Sequence, residues 1–145
     1  MKISTKGRYA LRLLLDLAQH RNCGFVALKD IAKRQDISKK YLEQIVPMLN
    51  RAGFLLTGRG YQGGYELAKE PSSITVGDIL RVTEGSLAPI SCLEQEPNMC
   101  PRCGECLTLP MWQGLYKTVN EYLDSVTLQD ILDQQTTLYG NDYVI

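Results

Sequence analysis

Four of the five cysteines lie within fifteen residues, and this cluster is the part of the sequence most suited to chemistry. Seven, two and two residues separate Cys92, Cys100, Cys103 and Cys106. Four thiolates bind zinc or an iron–sulfur cluster, or act as a thiol redox switch. Zinc ribbons pair two distant C-x2-C units, whereas a C-x2-C-x2-C run is closer to ferredoxin-like ligation. The spacing therefore favours iron–sulfur over zinc and over a thiol switch.

The remaining thiol and the hydropathy pattern indicate a cytoplasmic protein. Cys23 has no cysteine nearby in sequence, so we interpret it as an ordinary structural thiol. The longest uninterrupted apolar run is the four residues Phe25–Leu28, against about 20 for a membrane span. The N-terminus also lacks a signal-peptide core. We expect no membrane association and a reducing compartment, which disfavours disulfides.

The charges are divided between two halves of the chain. Residues 1–60 hold twelve basic and four acidic side chains, a net charge of +8, whereas residues 61–145 hold four and twelve, a net charge of −8. A neutral total built this way is expected when one face meets a polyanion and the other does not. Solvated helix faces are the alternative explanation.

The basic half contains the pattern of a helix-turn-helix. Apolar residues at three- and four-residue spacing predict a helix over residues 4–20, a short one over Leu28–Gln35, and a third from Ser38 to Gly53. Pro47 lies inside the third pattern, where we expect a kink or a break. The second of two short helices in such a motif enters the major groove of DNA.

A hairpin with a glycine-rich tip follows. Strand-like residues flank a segment from Gly58 to Gly64 that contains four glycines and the cation Arg59, a side chain suited to a narrow minor groove. No lysine follows the last glycine and no helix opens there, which disfavours a phosphate-binding loop. A helix-turn-helix with a hairpin makes a winged helix, so we predict a mainly α fold with a small β-hairpin wing.

The acidic half predicts a connecting loop and a long helix. A capping-box-like start at Thr75 predicts a short helix over Val76–Thr83, and residues 92–106 lack periodicity. An apolar stripe predicts a long amphipathic helix over Pro110–Ser125, then a short helix after Thr127, and a loosely held tail over Leu138–Ile145. We divide the chain into a DNA-binding domain (1–83), a cysteine-rich loop (84–109) and a dimerisation helix with its tail (110–145).

Several motifs together resemble one family of regulators. Met1–Ala10, Tyr41–Gln44, the wing glycines with Tyr65, and Thr75–Asp78 are similar to the winged-helix transcription regulators typified by the iron–sulfur cluster regulator IscR and the cysteine-metabolism repressor CymR. The match covers nearly the whole chain. CymR-like members lack the cysteine cluster, so the segment Cys92–Trp112 places this chain nearer to IscR.

The resemblance implies a homodimer, a palindromic DNA operator and a [2Fe-2S] cluster as sensor. The long helices of two subunits would cross, and Cys92, Cys100 and Cys106 match the three ligating cysteines of the family. The family's fourth ligand is a histidine at the position of Leu109, and the only histidine here is His20. Cys103 is the replacement that we expect. A [4Fe-4S] cluster and a ligand from the partner subunit remain open.

The expected DNA contacts lie on three of these elements. Lys39, Lys40 and Tyr41 would hold phosphates, and Gln44 would present its amide to an adenine edge. Glu43 either accepts from cytosine N4 or forms a helix-surface ion pair, and the resemblance suggests that it helps to switch between two operator classes. The complete set is Arg8, Ser38, Lys39, Lys40, Tyr41, Glu43, Gln44 and Arg59.

Three function classes follow. The first is a cluster-sensing transcription regulator of iron–sulfur or related sulfur and iron metabolism. The second is a winged-helix regulator whose cysteines bind zinc or sense oxidants, and the third is an electron-transfer iron–sulfur protein, which has no need of a wing. We expect no enzyme, because the sequence shows neither a carboxylate pair nor a Ser-His-Asp arrangement.

Overall fold

The first helix, α1 (Thr5–Gln19), begins at the capping residue and presents a leucine stripe to the core. The Ser4 hydroxyl accepts a hydrogen bond from the backbone N–H of Gly7 (3.2 Å), which satisfies a donor left free at the helix start. Leu13, Leu14 and Leu17 are almost completely buried. The predicted first helix is confirmed, and its apolar face forms the centre of the main core.

The structure is a computed structural model that describes residues 1–140. Beyond α1, the regular elements are α2 (Leu28–Gln35), α3 (Lys39–Arg51), β1 (Leu55–Gly58), β2 (Gly64–Leu67), α4 (Val76–Glu84), α5 (Leu109–Ser125) and α6 (Leu128–Gly140), with short 3-10 turns at Pro71–Ser73 and Ser91–Leu93. The mainly α fold with one hairpin is confirmed. No helix within this range combines the length and the apolar character that crossing a bilayer requires.

The turn between α2 and α3 has the geometry of a helix-turn-helix. Asp36 ends α2 in the left-handed region, at φ +52°. Ser38 then caps α3, and its hydroxyl accepts from the backbone N–H of Tyr41 at 3.0 Å. The buried Ile37 lies between these two polar residues and fastens the turn to the core.

The break considered at Pro47 does not occur, because α3 runs continuously from Lys39 to Arg51. Proline removes the backbone bond to the carbonyl of Glu43 and costs about 3 kcal/mol in a helix interior. Pro47 itself is exposed, whereas Val46 and Leu49 are buried. Burying one such side chain contributes about 1.5–3 kcal/mol to the stability of the fold. Packing against α1 therefore outweighs the local cost.

The wing is an antiparallel hairpin fastened to the chain that precedes α2. β1 and β2 pair from Leu55 opposite Leu67 to Gly58 opposite Gly64. Val26 adds a further bridge to Tyr65, in which each backbone N–H donates to the other residue's carbonyl, with N to O distances of 2.8 and 2.9 Å. A Cβ on Gly64 would lie 2.2 Å from the Val26 carbonyl oxygen, so only glycine permits this approach. The wing base is thus held by backbone contacts.

α4 and α6 begin at capping boxes, whereas α5 has no side-chain cap. The Thr75 and Asp78 pair caps α4, and Thr127 with Asp130 makes the same reciprocal bonds at α6. α4 ends one residue later than predicted, at Glu84, and α5 covers the predicted long helix. Arg81 of α4 donates to both carboxylate oxygens of Asp124 on α5, at 2.7 and 2.9 Å. This bidentate pair ties α5 to the winged helix.

The last helix packs on the same core as α1. Leu128 is completely buried in that core, and Gln19 of α1 donates to Gln135 at 2.8 Å. Within the tail predicted over Leu138–Ile145, α6 extends to Gly140, and residues 141–145 lie outside the described residues. The division of the chain at residues 83 and 109 stays a prediction.

A buried carboxylate connects α1 to the helix-turn-helix. Asp16 is 1% exposed and accepts two bonds from Arg34 (2.6 and 3.0 Å) and one from Gln35 (3.0 Å). Burial alone raises the pKa of Asp16, but the bonds from Arg34 and Gln35 and the Arg34 charge outweigh it and hold this pKa below its ordinary value of 3.8. The ionised carboxylate therefore fixes the end of α2.

Replacing Asp16 by Asn is expected to lower the free energy of unfolding by about 1.5–3 kcal/mol, the range for hydrogen bonds to a charged group. Because the native pKa is depressed, this contribution is complete above pH 3.8 and is lost as the pH falls through the lower native value. The measurement is denaturant unfolding of both proteins from about neutral pH to about pH 3.

Asp30→Asn is the matched control, because this exposed carboxylate lies in the first turn of α2. We expect it to change the free energy of unfolding by less than about 1 kcal/mol. An equal loss in both variants, or a loss at Asp16 that does not depend on pH, would contradict the role given to Asp16.

Candidate DNA interface and cysteine loop

α3 exposes the polar face that the sequence predicts to meet DNA. One side of the helix is open to solvent, whereas the other side is buried through Leu42, Ile45, Val46 and Leu49. The predicted contacts exposed on α3 and at its cap are Ser38, Lys39, Lys40, Glu43 and Gln44. The helix start also directs free backbone N–H groups outward, which favours a phosphate.

Aromatic packing joins this face to α1. The rings of Tyr41 and Tyr9 meet edge to face with centroids 5.4 Å apart, and the Arg12 guanidinium lies 5.3 Å from the Tyr9 ring centroid. Arg8, next to Tyr9 on α1, is exposed and donates to the Thr5 hydroxyl at 3.0 Å. Arg8 and Tyr41 thus belong to neighbouring parts of one surface.

Glu43 forms the helix-surface ion pair that the sequence allows. Its carboxylate lies 3.8 Å from Lys39 Nζ, and both side chains are more than half exposed. An exposed pair at this spacing contributes only about 0.3–0.5 kcal/mol, so it is easily broken. The contact is compatible with the other interpretation too, in which Glu43 accepts from a cytosine.

The wing tip carries Arg59 and an aromatic side chain that sequence reasoning missed. Arg59 is exposed just beyond β1 and forms no ion pair with any of residues 1–140. Tyr61, two residues later, is completely exposed. The sequence signal for Tyr61 is its position between Gly60 and Gly63 at the tip of the wing, where an aromatic side chain has no core to pack into. We add Tyr61 to the candidate DNA surface.

The four clustered cysteines lie in the connection between α4 and α5. Cys92 is in the 3-10 turn Ser91–Leu93, and a tight turn joins Cys100 to Cys103, whose backbone N–H donates to the Cys100 carbonyl at 3.1 Å. Cys106 precedes α5 by three residues, and all four are half-buried free thiols. Within the described range, no three His, Cys, Asp or Glu side chains are close enough to hold a metal.

The thiol nearest to α5, that of Cys106, has a lowered pKa. A hydrogen bond with the Thr108 hydroxyl (3.4 Å) is the main cause that lowers the pKa of Cys106, and backbone N–H groups and Arg102 add to it. A lowered pKa favours the thiolate, which is the form that binds metal.

The single histidine of the chain, His20, lies at the end of α1 and contacts Asp16 there, with Nδ1 2.8 Å from the Asp16 carbonyl oxygen.

The donor chemistry of this loop fits an iron–sulfur cluster. Four thiols supply the ligand type that such clusters take, and the Thr108 hydroxyl lowers the pKa of one of them, Cys106. An unpartnered buried amide, Asn98 Nδ2, lies in the same loop. The sulfurs are not gathered, so ligation by all four requires the loop to rearrange.

The comparison with protein families identifies the class to which this chain belongs. The sequence model of the Rrf2 family, described as "Iron-dependent Transcriptional regulator", matches residues 3–134. The chain therefore belongs to the Rrf2 family and is a DNA-binding transcription regulator, as the resemblance implied. Its relatives are named as transcriptional regulators, which agrees with the expectation that it is not an enzyme.

Similar proteins include both kinds of regulator that the motifs suggest. CymR of Bacillus subtilis is 44% identical over 131 residues, 90% of this chain and 89% of CymR. The solved structure of CymR, the global cysteine regulator of B. subtilis, gives a TM-score of 0.76 over 92% of this chain and 98% of that one. The solved structure of T. potens IscR is 44% identical, with a TM-score of 0.74 over 93% and 88%. IscR of Yersinia pseudotuberculosis is 36% identical over 138 residues, 95% of this chain and 83% of IscR.

Arg59→Ala is expected to weaken binding to an operator selected from random-sequence DNA by about 1.5–3 kcal/mol, the range for a hydrogen bond to a charged group. Fluorescence anisotropy over a range of salt concentrations measures the affinity. Lys117→Ala is the control, because Lys117 is an exposed cation on α5 paired with Glu121 at 3.8 Å. Equal weakening in the two variants would show that only total charge matters.

Proposed function

We propose that this chain is a transcription regulator that senses iron–sulfur cluster status and controls genes of cluster biogenesis or related sulfur and iron metabolism. The observation that carries the proposal is the C-x2-C-x2-C run, which ends three residues before α5. The match to a family described as iron-dependent includes this segment. The relatives named IscR add support.

The proposed cofactor is a [2Fe-2S] cluster held by Cys92, Cys100, Cys103 and Cys106. When bound, it supplies a crosslink among thiolates that depends on cluster supply and redox state. Leu109, at the position of the family's histidine ligand, is the first residue of α5 and has no ligating atom. Cys103 is therefore the proposed fourth ligand, and a tight turn joins it to Cys100. A [4Fe-4S] cluster is the alternative that the same run of cysteines permits.

One observation favours a second candidate, a thiol-based regulator. The lowered pKa of Cys106, caused first by its bond with Thr108, also makes this thiol more reactive toward oxidants. Zinc bound by the same thiols is the third possibility, and metal analysis separates the three.

We further propose a homodimer built on α5. None of its residues is buried, and apolar side chains such as Met111, Leu115 and Tyr122 are exposed along it. A groove of about 340 Å³ with an entirely apolar surface lies beside it, lined by residues that include Ile3, Leu80 and Leu123. Apolar side chains from a second copy of α5 would fill this groove, and two winged helices would then face a palindromic operator.

The proposed DNA contacts follow from charge and exposure. Lys39, Lys40 and Tyr41 bind phosphates at the start of α3, with Arg8 beside them, while Gln44 and Glu43 face base edges. Ser38 holds the helix start, and Arg59 with Tyr61 approaches the minor groove from the wing. The basic half thereby meets the polyanion and the acidic half stays away from it.

The cysteine loop is placed to act on the spacing of the two DNA-binding units. Its last cysteine is three residues from Leu109, where α5 begins. α5 in turn is bound to α4 through Arg81 and Asp124. Ligation would fix the loop and thereby bias how α5 sits against the winged helix. The strength of this regulation equals the difference in DNA-binding free energy between the cluster-bound and the cluster-free protein.

Anaerobic purification with iron, acid-labile sulfide and zinc analysis tests the proposal on one sample, together with its visible spectrum and its mass in solution. We expect about two iron and two sulfide per subunit in a dimer. About four of each would identify a [4Fe-4S] cluster. Zinc without iron after anaerobic reconstitution would refute cluster sensing in favour of a structural or thiol-based site.

Replacing Cys92, Cys100 or Cys106 by Ala is expected to abolish the visible chromophore and leave a folded dimer, because three thiolates cannot complete the site. The measurements are the visible spectrum, iron content and mass in solution. Cys23→Ala is the matched control, since Cys23 is an exposed thiol after α1, and it should keep the chromophore. A full cluster in any of the three ligand variants would contradict the assignment.

A further inference from the structure

The directional contacts between α5 and α4 are confined to the C-terminal part of α5. Within residues 1–140, every side-chain hydrogen bond that joins α5 to another helix comes from Arg81. Its guanidinium donates to both carboxylate oxygens of Asp124 (2.7 and 2.9 Å) and to the side-chain oxygen of Asn120 (2.9 Å). Just beyond the helix, the backbone N–H of Val76 donates to the carbonyl of Val126 at 2.8 Å.

These contacts hold α5 at more than one level along its axis. Asn120 and Asp124 are one turn apart on the same face, and Val126 follows as the last, capping residue. A single contact would leave the helix free to swing, whereas contacts a turn apart set its direction. Leu80 and Leu123 share an apolar cluster, but burial is non-directional and does not select one angle between the helices.

Gly77 of α4 leaves the room in which Asp124 lies. A Cβ on Gly77 would lie 2.1 Å from Asp124 Oδ1 and 3.0 Å from Arg81 Nη1, so any side chain there would displace the carboxylate. Both partners of the ion pair are more than a third exposed. Exposed pairs contribute little unless arginine binds the carboxylate through two bonds, as it does here. The contact is therefore suited to setting geometry.

The direction of α5 would decide where the two α3 helices of the proposed homodimer lie. Ile79 of α4 is buried in the same core as α3, so these two helices move together, and a turn of α5 against α4 displaces α3 from its counterpart in the second copy. One turn of DNA takes about 34 Å and about 10 base pairs, so each added base pair moves a half-site by about 3.4 Å and turns it by about 35°.

We infer that Arg81, which holds Asp124 over Gly77, is a specificity-determining residue that fixes the half-site spacing accepted by this regulator. The inference rests on the proposed homodimer and on neither the cluster nor its ligands. A dimer with this contact accepts one spacing, because another spacing requires the contact to break in both subunits. A dimer without it tolerates neighbouring spacings, because α5 adjusts its direction at the apolar cluster.

The test compares three duplexes. The first is an operator selected from random-sequence DNA with the wild-type protein, and the others have one base pair added to or removed from its centre. Gly77→Ala keeps every charged group but displaces Asp124, whereas Asp124→Asn keeps the shape and removes the charge. Glu121→Gln is the matched control, because the ion pair of Glu121, with Lys117, lies within α5 itself. Fluorescence anisotropy gives the affinities, and mass in solution shows whether each protein is a dimer.

We expect wild type and Glu121→Gln to bind the selected spacing more tightly than either altered spacing, by about 10-fold or more. In Gly77→Ala and Asp124→Asn this ratio should fall at least about 5-fold, the low end of discrimination at one base pair. Both variants should remain dimers, since the apolar side chains of α5 are unchanged.

Unchanged spacing ratios in both variants, with the dimers intact, would overturn the inference and leave the proposed function as it is. The same fall in Glu121→Gln would also overturn it, because the effect would then follow from the charge of α5. A wild-type dimer that binds all three spacings equally would overturn the inference alone. A wild-type protein that is a monomer in solution would overturn the proposed homodimer, and this inference with it.

Discussion

The burial of α1 is the constraint on which the rest of the structure depends. This helix packs against α2, α3, α4, α6 and β2, so both the helix-turn-helix and the returning C-terminal helix take their positions from it. Its buried leucines lie at the centre of the main apolar core, and Asp16 adds a directional contact to the end of α2. The buried apolar face of α1 thereby sets the orientation of α3, whose exposed polar face is the candidate DNA surface.

The division of charge is maintained by the order of the elements. The basic segments all come early in the chain, on α1, α2 and α3, whereas the acidic segments form α4 to α6 and the cysteine loop. The candidate DNA contacts and the four clustered cysteines therefore lie on different parts of the chain. Arg81 of α4 and Asp124 join α5 to the winged helix, so in the proposed mechanism α5 is the element that would carry the state of the cysteines to the DNA-binding unit.

The helices could be predicted closely from the sequence, because capping residues such as Ser4, Ser38 and Thr75 mark their starts by local chemistry. Contacts that depend on tertiary packing could not. The continuity of α3 through Pro47 needs the buried side chains around it, and the Asp16–Arg34 pair needs α1 and α2 side by side. The conformation of residues 92–106 could not be derived from the sequence either, because this segment has no apolar periodicity.

The most direct measurement compares the operator affinity of one preparation before and after its cluster is removed by anaerobic chelation. A duplex selected from random-sequence DNA and read by fluorescence anisotropy suits this purpose. The proposed coupling predicts that the two forms differ by at least about 5-fold, the lower end of typical coupling between sites. Equal affinities for every selected duplex, in a protein shown to carry the cluster, would contradict the claim that this regulator senses cluster status.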